Sequence, residues 1–157
     1  MAAPPGSIVP GAKSGSASTP TSWASSVGVR RSMLANRRVD TAPERALRSH
    51  LHGSGLRFRK DFRIKLEDVS VRADVVFPAA KLAVFVDGCF WHQCPEHATM
   101  PKRNSEFWAP KLRRNVERDQ RVNRALTEAG WTVIRCWEHE DPTHVLPRVV
   151  TALQETR

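Results

Sequence analysis

The chain has 157 residues, with 25 Lys and Arg against 16 Asp and Glu, and a formal charge of +9. That length fits one domain and a tail, and a hydrophobic content of 40% can fill one core. No apolar run approaches the roughly 20 residues that cross a bilayer, and the chain does not open on a charged segment followed by an apolar one, which predicts no secretory signal. The positive charge favours nucleic acid, and not a membrane, as partner.

Residues 1–26 consist mainly of Gly, Pro, Ser, Ala and Thr. Such a composition buries too little surface to offset chain entropy, so it predicts a disordered tail. One domain is expected over residues 27–157, and it opens on a basic arm, 27–40, that carries Arg30 and Arg31.

The first helix is predicted from Thr41, which forms an S/T-x-x-E capping pattern with Glu44, to Gly53 or Gly55. Alternating apolar residues then predict a strand over 56–67. The remaining predicted elements are a hairpin of Val69 to Phe77 and Leu82 to Val86 with a turn at 78–81, a helix from Ala109 to Ala129, a strand from Trp131 to Trp137 and a short helix from Pro147 to Thr156. This order indicates a mixed α/β fold with one small sheet covered by helices.

Two acids interrupt the apolar hairpin, Asp74 and Asp87. A four-residue turn would pair Phe77 with Leu82 and set Asp74 opposite Phe85, on the face that also carries Asp87. The two carboxylates would then lie within reach of one hard cation such as Mg²⁺. The alternative is that Asp74 pairs with Arg72 or another arginine and that Asp87 only opens a turn.

Two further acids are candidates. Asp119 lies in a helical stripe with Leu112, Val116, Asn123 and Leu126, so it is expected to point toward the sheet. Its alternative is an ion pair on the helix surface. Glu44 is fully explained by the capping pattern.

Thiols and imidazoles cluster in one short segment, at Cys89, His92, Cys94 and His97. The spacing Cys89-x4-Cys94-x2-His97 can supply three tetrahedral zinc ligands. An odd number of cysteines beside histidines argues against disulfides and for a reduced, cytosolic protein.

The fourth zinc ligand must come from a distant segment, either Cys136 or His139, and local chemistry slightly favours the thiol of Cys136. His92 would be left over as a candidate for acid–base chemistry, or else as a surface histidine. Nearby rings lie among cations that are expected to contact DNA phosphates. This arrangement suits insertion of the rings between DNA bases, but also a small satellite core. The rings are Phe90, Trp91, Phe107 and Trp108, and the expected phosphate contacts are Lys102 and Arg103, with Arg30 and Arg31 of the basic arm.

The segment DGCFWHQCPEHATMPKRNSEFW at 87–108, with NVERD at 115–119 and WTVIRCWEHE at 131–140, resembles the very short patch repair endonucleases of bacteria. The resemblance implies a restriction-endonuclease-like core with an added structural zinc site. It also implies a Mg²⁺-dependent enzyme that nicks DNA 5′ to the thymine of a T:G mismatch, the lesion left by deamination of 5-methylcytosine. Such an enzyme would be a cytoplasmic, nucleoid-associated monomer whose partners are duplex DNA and repair proteins.

The resemblance also implies roles for single residues. Asp74 matches a magnesium-binding aspartate and His92 a catalytic histidine, while Glu44 and Asp119 match acidic positions at or near the site. The matched zinc ligands are Cys89, Cys94, His97 and His139, the matched DNA wedge is Phe90, Trp91 and Trp108, and the arm with Arg30 and Arg31 matches a segment that clamps the duplex.

One departure from the family pattern concerns Asp87, which stands where the best-known member has a histidine. Two other functions fit the residues: a zinc-stabilised DNA-binding module without catalysis, and a related restriction or defence nuclease that cuts matched DNA.

Overall fold

The computed structural model describes residues 39–100, 102 and 104–156. The predicted tail and most of the basic arm therefore lie outside the described residues. The elements in chain order are α1 (Ala42–Gly53), β1 (Arg59–Lys65), β2 (Ser70–Phe77), β3 (Leu82–Asp87), α2 (Ser105–Glu128), β4 (Thr132–Trp137) and α3 (Pro142–Glu155).

The four strands form one mixed sheet in the order β1-β2-β3-β4. Antiparallel pairs join β1 to β2 and β2 to β3, whereas β3 and β4 run parallel. The long helix α2 is the crossover between β3 and β4, as a parallel pair requires. The mixed α/β prediction is confirmed.

A tight turn fixes the β2–β3 hairpin. Pro78–Ala80 forms one turn of 3-10 helix, and Lys81 takes a left-handed backbone with φ 46°. Phe77 is therefore the partner of Leu82, and the pairing continues to Val75 and Val84. The predicted pair of Phe77 with Leu82 is confirmed, whereas Asp74 and Phe85 are not among the paired residues.

Helices cover both faces of the sheet. The first core joins α1 and α3 to the sheet, with Leu51, Val84 and Val149 at its centre. The second core lies under α2 and includes Phe85 and Leu126. Within the described ranges, every helix is too short or too polar to cross a lipid bilayer.

Strand β2 changes face at Asp74. Val71 and Ala73 belong to the second core, whereas Val75 and Phe77 belong to the first, although strict alternation would place all four on one face. Asp61 on the neighbouring strand has a left-handed backbone, with φ 44°. The acid of β2 thus stands where the sheet is locally irregular.

Two helices begin earlier than predicted. We expected Pro110 in the first turn of α2, but it lies inside the helix, and the carbonyl of Asn104 accepts the first backbone bonds from Phe107 and Trp108. Helix α3 begins at Pro142, because Asp141 caps it by accepting the Thr143 N–H at 2.8 Å.

Candidate active site

His92 is held by an acid of the long helix. Its Nδ1 lies 2.5 Å from Oδ2 of Asp119. Burial alone would raise the pKa of Asp119, but the hydrogen bond with His92 and the charges of His92, Arg135 and Arg118 outweigh burial and lower it. An ionised carboxylate only accepts hydrogen bonds, so Nδ1 of His92 carries the proton and Nε2 is left for other chemistry.

Asp87 forms an ion pair across the parallel strands. Nη1 of Arg135 donates to both of its oxygens, at 2.7 and 2.8 Å. Asp87 is buried, and its Oδ1 lies 3.6 Å from Nδ1 of His92. Asp87, Asp119 and His92 are therefore brought together, and the alternative that Asp87 only opens a turn is insufficient.

Asp74 contacts the backbone of the next strand. Its Oδ2 accepts the Val86 N–H at 2.7 Å. In the described part of the chain no lysine, arginine or histidine forms an ion pair with it, and Arg72, the partner considered from sequence, pairs with Asp61 instead.

The charge environment of Asp74 is unfavourable for its ionised form. Burial raises its pKa to about 6, the charges of Glu44 and Asp87 add to this effect, and the Val86 hydrogen bond and the charge of Arg48 oppose it. A divalent cation at Asp74 would relieve this accumulation of negative charge, so the carboxylates fit a hard, oxygen-binding metal such as Mg²⁺.

The raised pKa of Asp74 predicts a pH-dependent stability. Because the pKa is higher in the folded protein than in the unfolded chain, protonation of Asp74 favours folding. This contribution to the free energy of unfolding is complete below pH 3.8, the ordinary pKa of an aspartate, and is lost as the pH rises through about 6. Replacing Asp74 by Asn should therefore stabilise the Mg²⁺-free, zinc-loaded protein above pH 6 by up to roughly 3 kcal/mol relative to acidic buffer. Denaturant unfolding of both proteins across this range measures the difference, and a difference independent of pH would contradict the prediction.

Glu44 is buried at the start of α1. Its Oε1 accepts the hydroxyl of Thr41 at 2.9 Å, its Oε2 accepts the N–H of Asp40 at 2.7 Å, and Arg48 pairs with it at 3.4 Å. The predicted capping pattern is confirmed. The same carboxylate raises the pKa of Asp74, so it also belongs to the electrostatic surroundings of the site.

Two cysteines and two histidines form a group that could hold a metal ion. The ligand atoms of Cys89, Cys94, His97 and His139 all lie within 4.8 Å of one another. Sγ of Cys89 is 3.0 Å from Nδ1 of His139, and Sγ of Cys94 is 3.9 Å from Nδ1 of His97. Two thiols and two imidazoles at this separation fit tetrahedral zinc, and His92 is not among them.

Cys136 lies elsewhere. Its thiol donates to the carbonyl of Phe85 at 3.3 Å, and its side chain packs in the first core. Burial raises its pKa to about 12, as expected for an inert core thiol. The slight preference of local chemistry for Cys136 is therefore not supported, and His139 takes the fourth position.

Four rings form a cluster beside the cysteines. Ring centroids lie 5.1 Å apart for Phe90 and Trp91, 5.5 Å for Phe90 and Trp108, and 5.2 Å for Phe107 and Trp108. Lys111 places Nζ within 5.4 to 5.7 Å of three of these rings. Trp108 is only 3% exposed, whereas Phe107 is 45% exposed, and Phe90 and Trp91 are half-buried. Trp108 is therefore the buried ring of the cluster and Phe107 its most exposed one.

Comparison with known proteins shows to which family the chain belongs. Residues 28–97 match the sequence profile of the family described as DNA mismatch endonuclease Vsr. A relative in Lentzea aerocolonigenes, Type II nicking enzyme V.NaeI, is 56% identical over 127 residues, which cover 80% of this chain and 76% of the relative.

The chain belongs to the Vsr family of DNA endonucleases.

Two more distant relatives agree. Type II nicking enzyme V.XorIIP of Xanthomonas oryzae pv. oryzae is 42% identical over 106 residues, covering 66% of this chain and 74% of the relative. DNA mismatch endonuclease Vsr of Escherichia coli K12 is 40% identical over 104 residues, covering 63% of this chain and 62% of the relative. Membership in the Vsr family makes DNA the class of macromolecule on which the chain acts.

Some predicted DNA contacts of this Vsr-family chain fall outside the structure. Arg30, Arg31 and Arg103 lie outside the described residues, and Lys102 is exposed. Their expected role as phosphate contacts stays a prediction.

Sequence reasoning missed three residues that organise the Vsr-family site. Arg135 pairs with Asp87, Glu138 accepts the Cys89 N–H at 2.7 Å, and Asn115 donates to the Trp91 carbonyl at 3.3 Å. For Arg135 the available signal was a single charged residue in the strand Thr132–Trp137.

Proposed function

We propose that this Vsr-family endonuclease nicks one DNA strand 5′ to the thymine of a T:G mismatch, by Mg²⁺-assisted phosphodiester hydrolysis. The observation that carries the proposal is the contact of His92 with Asp87 and Asp119, beside a Cys/His metal group. Asp74 is near enough for the charge of Asp87 to raise its pKa. The name of the Escherichia coli relative, DNA mismatch endonuclease Vsr, supports the mismatch as substrate.

Asp74, with Asp87 as the second carboxylate, would hold Mg²⁺. When bound, the ion stabilises the charge that develops on the phosphate and lowers the pKa of a coordinated water. Asp74 is proposed as a ligand because no cationic side chain among the described residues forms an ion pair with it. Its surroundings also disfavour its own negative charge, which a bound cation would offset. Glu44 adds negative charge and holds the start of α1, and does not bind the ion.

His92 transfers the proton. Because Nδ1–H is held by Asp119, Nε2 can take a proton from the attacking water or, when protonated, give one to the leaving oxygen. Asp119 orients the ring and stabilises its positive form, as carboxylates paired with catalytic histidines do.

Zinc would be structural. Cys89, Cys94, His97 and His139 join the loop after β3 to the end of β4, and all four positions are filled by protein ligands, as in structural sites. Burial and the neighbouring Cys94 raise the pKa of Cys89 to about 11, so zinc must displace a proton when it binds. The loop carries His92, and its fixed shape sets the position of the ring.

Phe90 and Trp91 are the proposed wedge. A T:G wobble pair stacks less well than a Watson–Crick pair, so separating it from its neighbour costs less free energy. Trp108 stays beneath these rings as their support. Mismatch selectivity would then arise from deformation of the DNA.

The remaining expectations are proposals of the same kind. The four-stranded sheet with α1, α2 and α3 would be a restriction-endonuclease-like core. The protein would act as a cytoplasmic, nucleoid-associated monomer on duplex DNA and would hand the nick to repair proteins.

A nicking assay tests the function. With Mg²⁺, the zinc-loaded protein should cut the thymine strand of a labelled duplex that contains one T:G pair, and should leave the same duplex with a T:A pair intact. A panel of flanking sequences is needed, because the preferred context is set by DNA contacts. Equal cutting of the matched duplex would indicate a restriction or defence nuclease. Binding without a nick in any context would indicate a DNA-binding module, and either result would refute the proposal.

A further inference from the structure

We propose that Arg135 is a positioning residue that decides which carboxylate receives the Nδ1 proton of His92. The inference rests on the proposed function of His92 as the proton-transfer group. It concerns a contact that is formed by strands β3 and β4, outside the metal group and the ring cluster.

Two acids face the same ring nitrogen. Nδ1 of His92 lies 2.5 Å from Oδ2 of Asp119 and 3.6 Å from Oδ1 of Asp87. A neutral imidazole has only one N–H, so the two carboxylates compete for it. The shorter contact belongs to Asp119, and the longer one exceeds hydrogen-bond length.

Arg135 explains this asymmetry. Its Nη1 donates to both oxygens of Asp87, which gives that carboxylate a charged partner of its own. Its Nη2 lies 3.6 Å from Oδ1 of Asp119, on the oxygen that His92 does not use. The guanidinium thus lies between the two acids, occupies Asp87 and leaves Oδ2 of Asp119 to the ring.

The position of Arg135 is fixed by three elements. The parallel register pairs Phe85 with Arg135, and the guanidinium carbon lies 4.7 Å from the centre of the Phe85 ring. Its Nε donates to Oδ1 of Asn123 on α2 at 2.9 Å. A planar group with donors in several directions can satisfy all these contacts, whereas the point charge of lysine cannot.

Without Arg135, Oδ1 of Asp87, the oxygen near Nδ1 of His92, loses its charged partner and can attract the ring, while Oδ2 remains available to Mg²⁺. His92 would then divide its Nδ1–H between two acids, and its Nε2 would point correctly in only part of the population. Because ring orientation enters the chemical step and not DNA binding, the loss is expected in kcat.

The test compares Arg135→Met with Arg148→Met in the zinc-loaded protein on a T:G duplex at saturating Mg²⁺. Arg148 donates to the carbonyl of Arg135 and pairs with Glu140, so it touches the same residue without touching either acid. Arg135→Met should lower kcat roughly 100-fold, with KM for DNA within about twofold of wild type. Arg148→Met should retain wild-type kcat.

NMR of the His92 ring supplies a second readout that a purely structural role would not change. The wild-type ring nitrogens should report a single environment, with the Nδ1–H bonded to Asp119. Arg135→Met should add a second ring environment. The signal is assigned by its absence in His92→Gln.

Several outcomes would overturn the inference while wild type still nicks the mismatch, so they leave the proposed function intact. They are unchanged kcat in Arg135→Met, a loss confined to KM or to the Mg²⁺ requirement, and an unaltered His92 signal. If Arg135→Met does not fold, Arg135→Lys carries the same test and should lower kcat roughly 10-fold; full kcat there would overturn the inference. Failure of wild type to nick any duplex would instead refute the proposed function.

Discussion

Replacing Asp74 by Asn should lower the nicking rate by about 10³-fold or more and leave DNA affinity close to that of wild type. An amide is a much weaker ligand for Mg²⁺ than a carboxylate, and a metal ion contributes several kcal/mol of charge stabilisation in the transition state. DNA binding depends mainly on cations that contact phosphates. Single-turnover nicking and a binding titration on the same T:G duplex measure the two quantities.

Asp61→Asn is the matched control. Asp61 is the aspartate of the neighbouring strand and pairs with the exposed Arg72, so the same chemical change occurs in the same sheet at a carboxylate that already has a cationic partner. It should retain full activity. Nicking by Asp74→Asn at more than about a tenth of the wild-type rate would mean that Asp74 does not bind the catalytic metal.

Cys89→Ser should lose the bound zinc and with it the ordered loop that carries His92. Structural zinc sites supply folding free energy directly, with apparent values of about 10 kcal/mol or more in small zinc domains. Cys89 is also buried, so a serine there leaves a polar group beside an incomplete site. We expect metal content near zero, a large fall in thermal stability and no nicking.

Cys136→Ser is the matched control, because it removes a buried thiol that is not a member of the metal group. Its hydroxyl can keep the bond to the Phe85 carbonyl that the thiol makes, so we expect full zinc content and a modest destabilisation of about 1–2 kcal/mol. Metal analysis and thermal unfolding check both variants. A folded, active Cys89→Ser protein without zinc would refute a structural metal.

Local signals made much of the architecture predictable. The Thr41–Glu44 capping pair marks the start of α1, and the turn before Lys81 sets the hairpin register, because both depend on residues that are close in sequence. The helical stripe correctly turns Asp119 toward the sheet, since its period matches the helix. The thiol and imidazole spacing identifies three members of the metal group for the same reason.

The other contacts of the site depend on how strands distant in sequence pair, which local patterns do not predict. Arg135 reaches Asp87 only because β3 and β4 are parallel with Phe85 opposite Arg135, and sequence spacing does not specify that pairing. His139 replaces Cys136 at the metal group because the chain turns out of the sheet after Trp137, where Glu138 accepts the Cys89 N–H. The change of face at Asp74 lies beside the irregular backbone of Asp61 on the neighbouring strand, and the residue pattern specifies neither feature.

The most direct test of the account is the effect of sulfur at the scissile phosphate. A T:G duplex with one non-bridging oxygen of that phosphate replaced by sulfur should be nicked poorly with Mg²⁺, and Mn²⁺ should restore the rate, because Mn²⁺ accepts sulfur ligands more readily. Rescue at one of the two stereoisomers would show that a metal ion touches the reacting phosphate. Equal rates for oxygen and sulfur at both positions with Mg²⁺ would contradict metal-assisted hydrolysis.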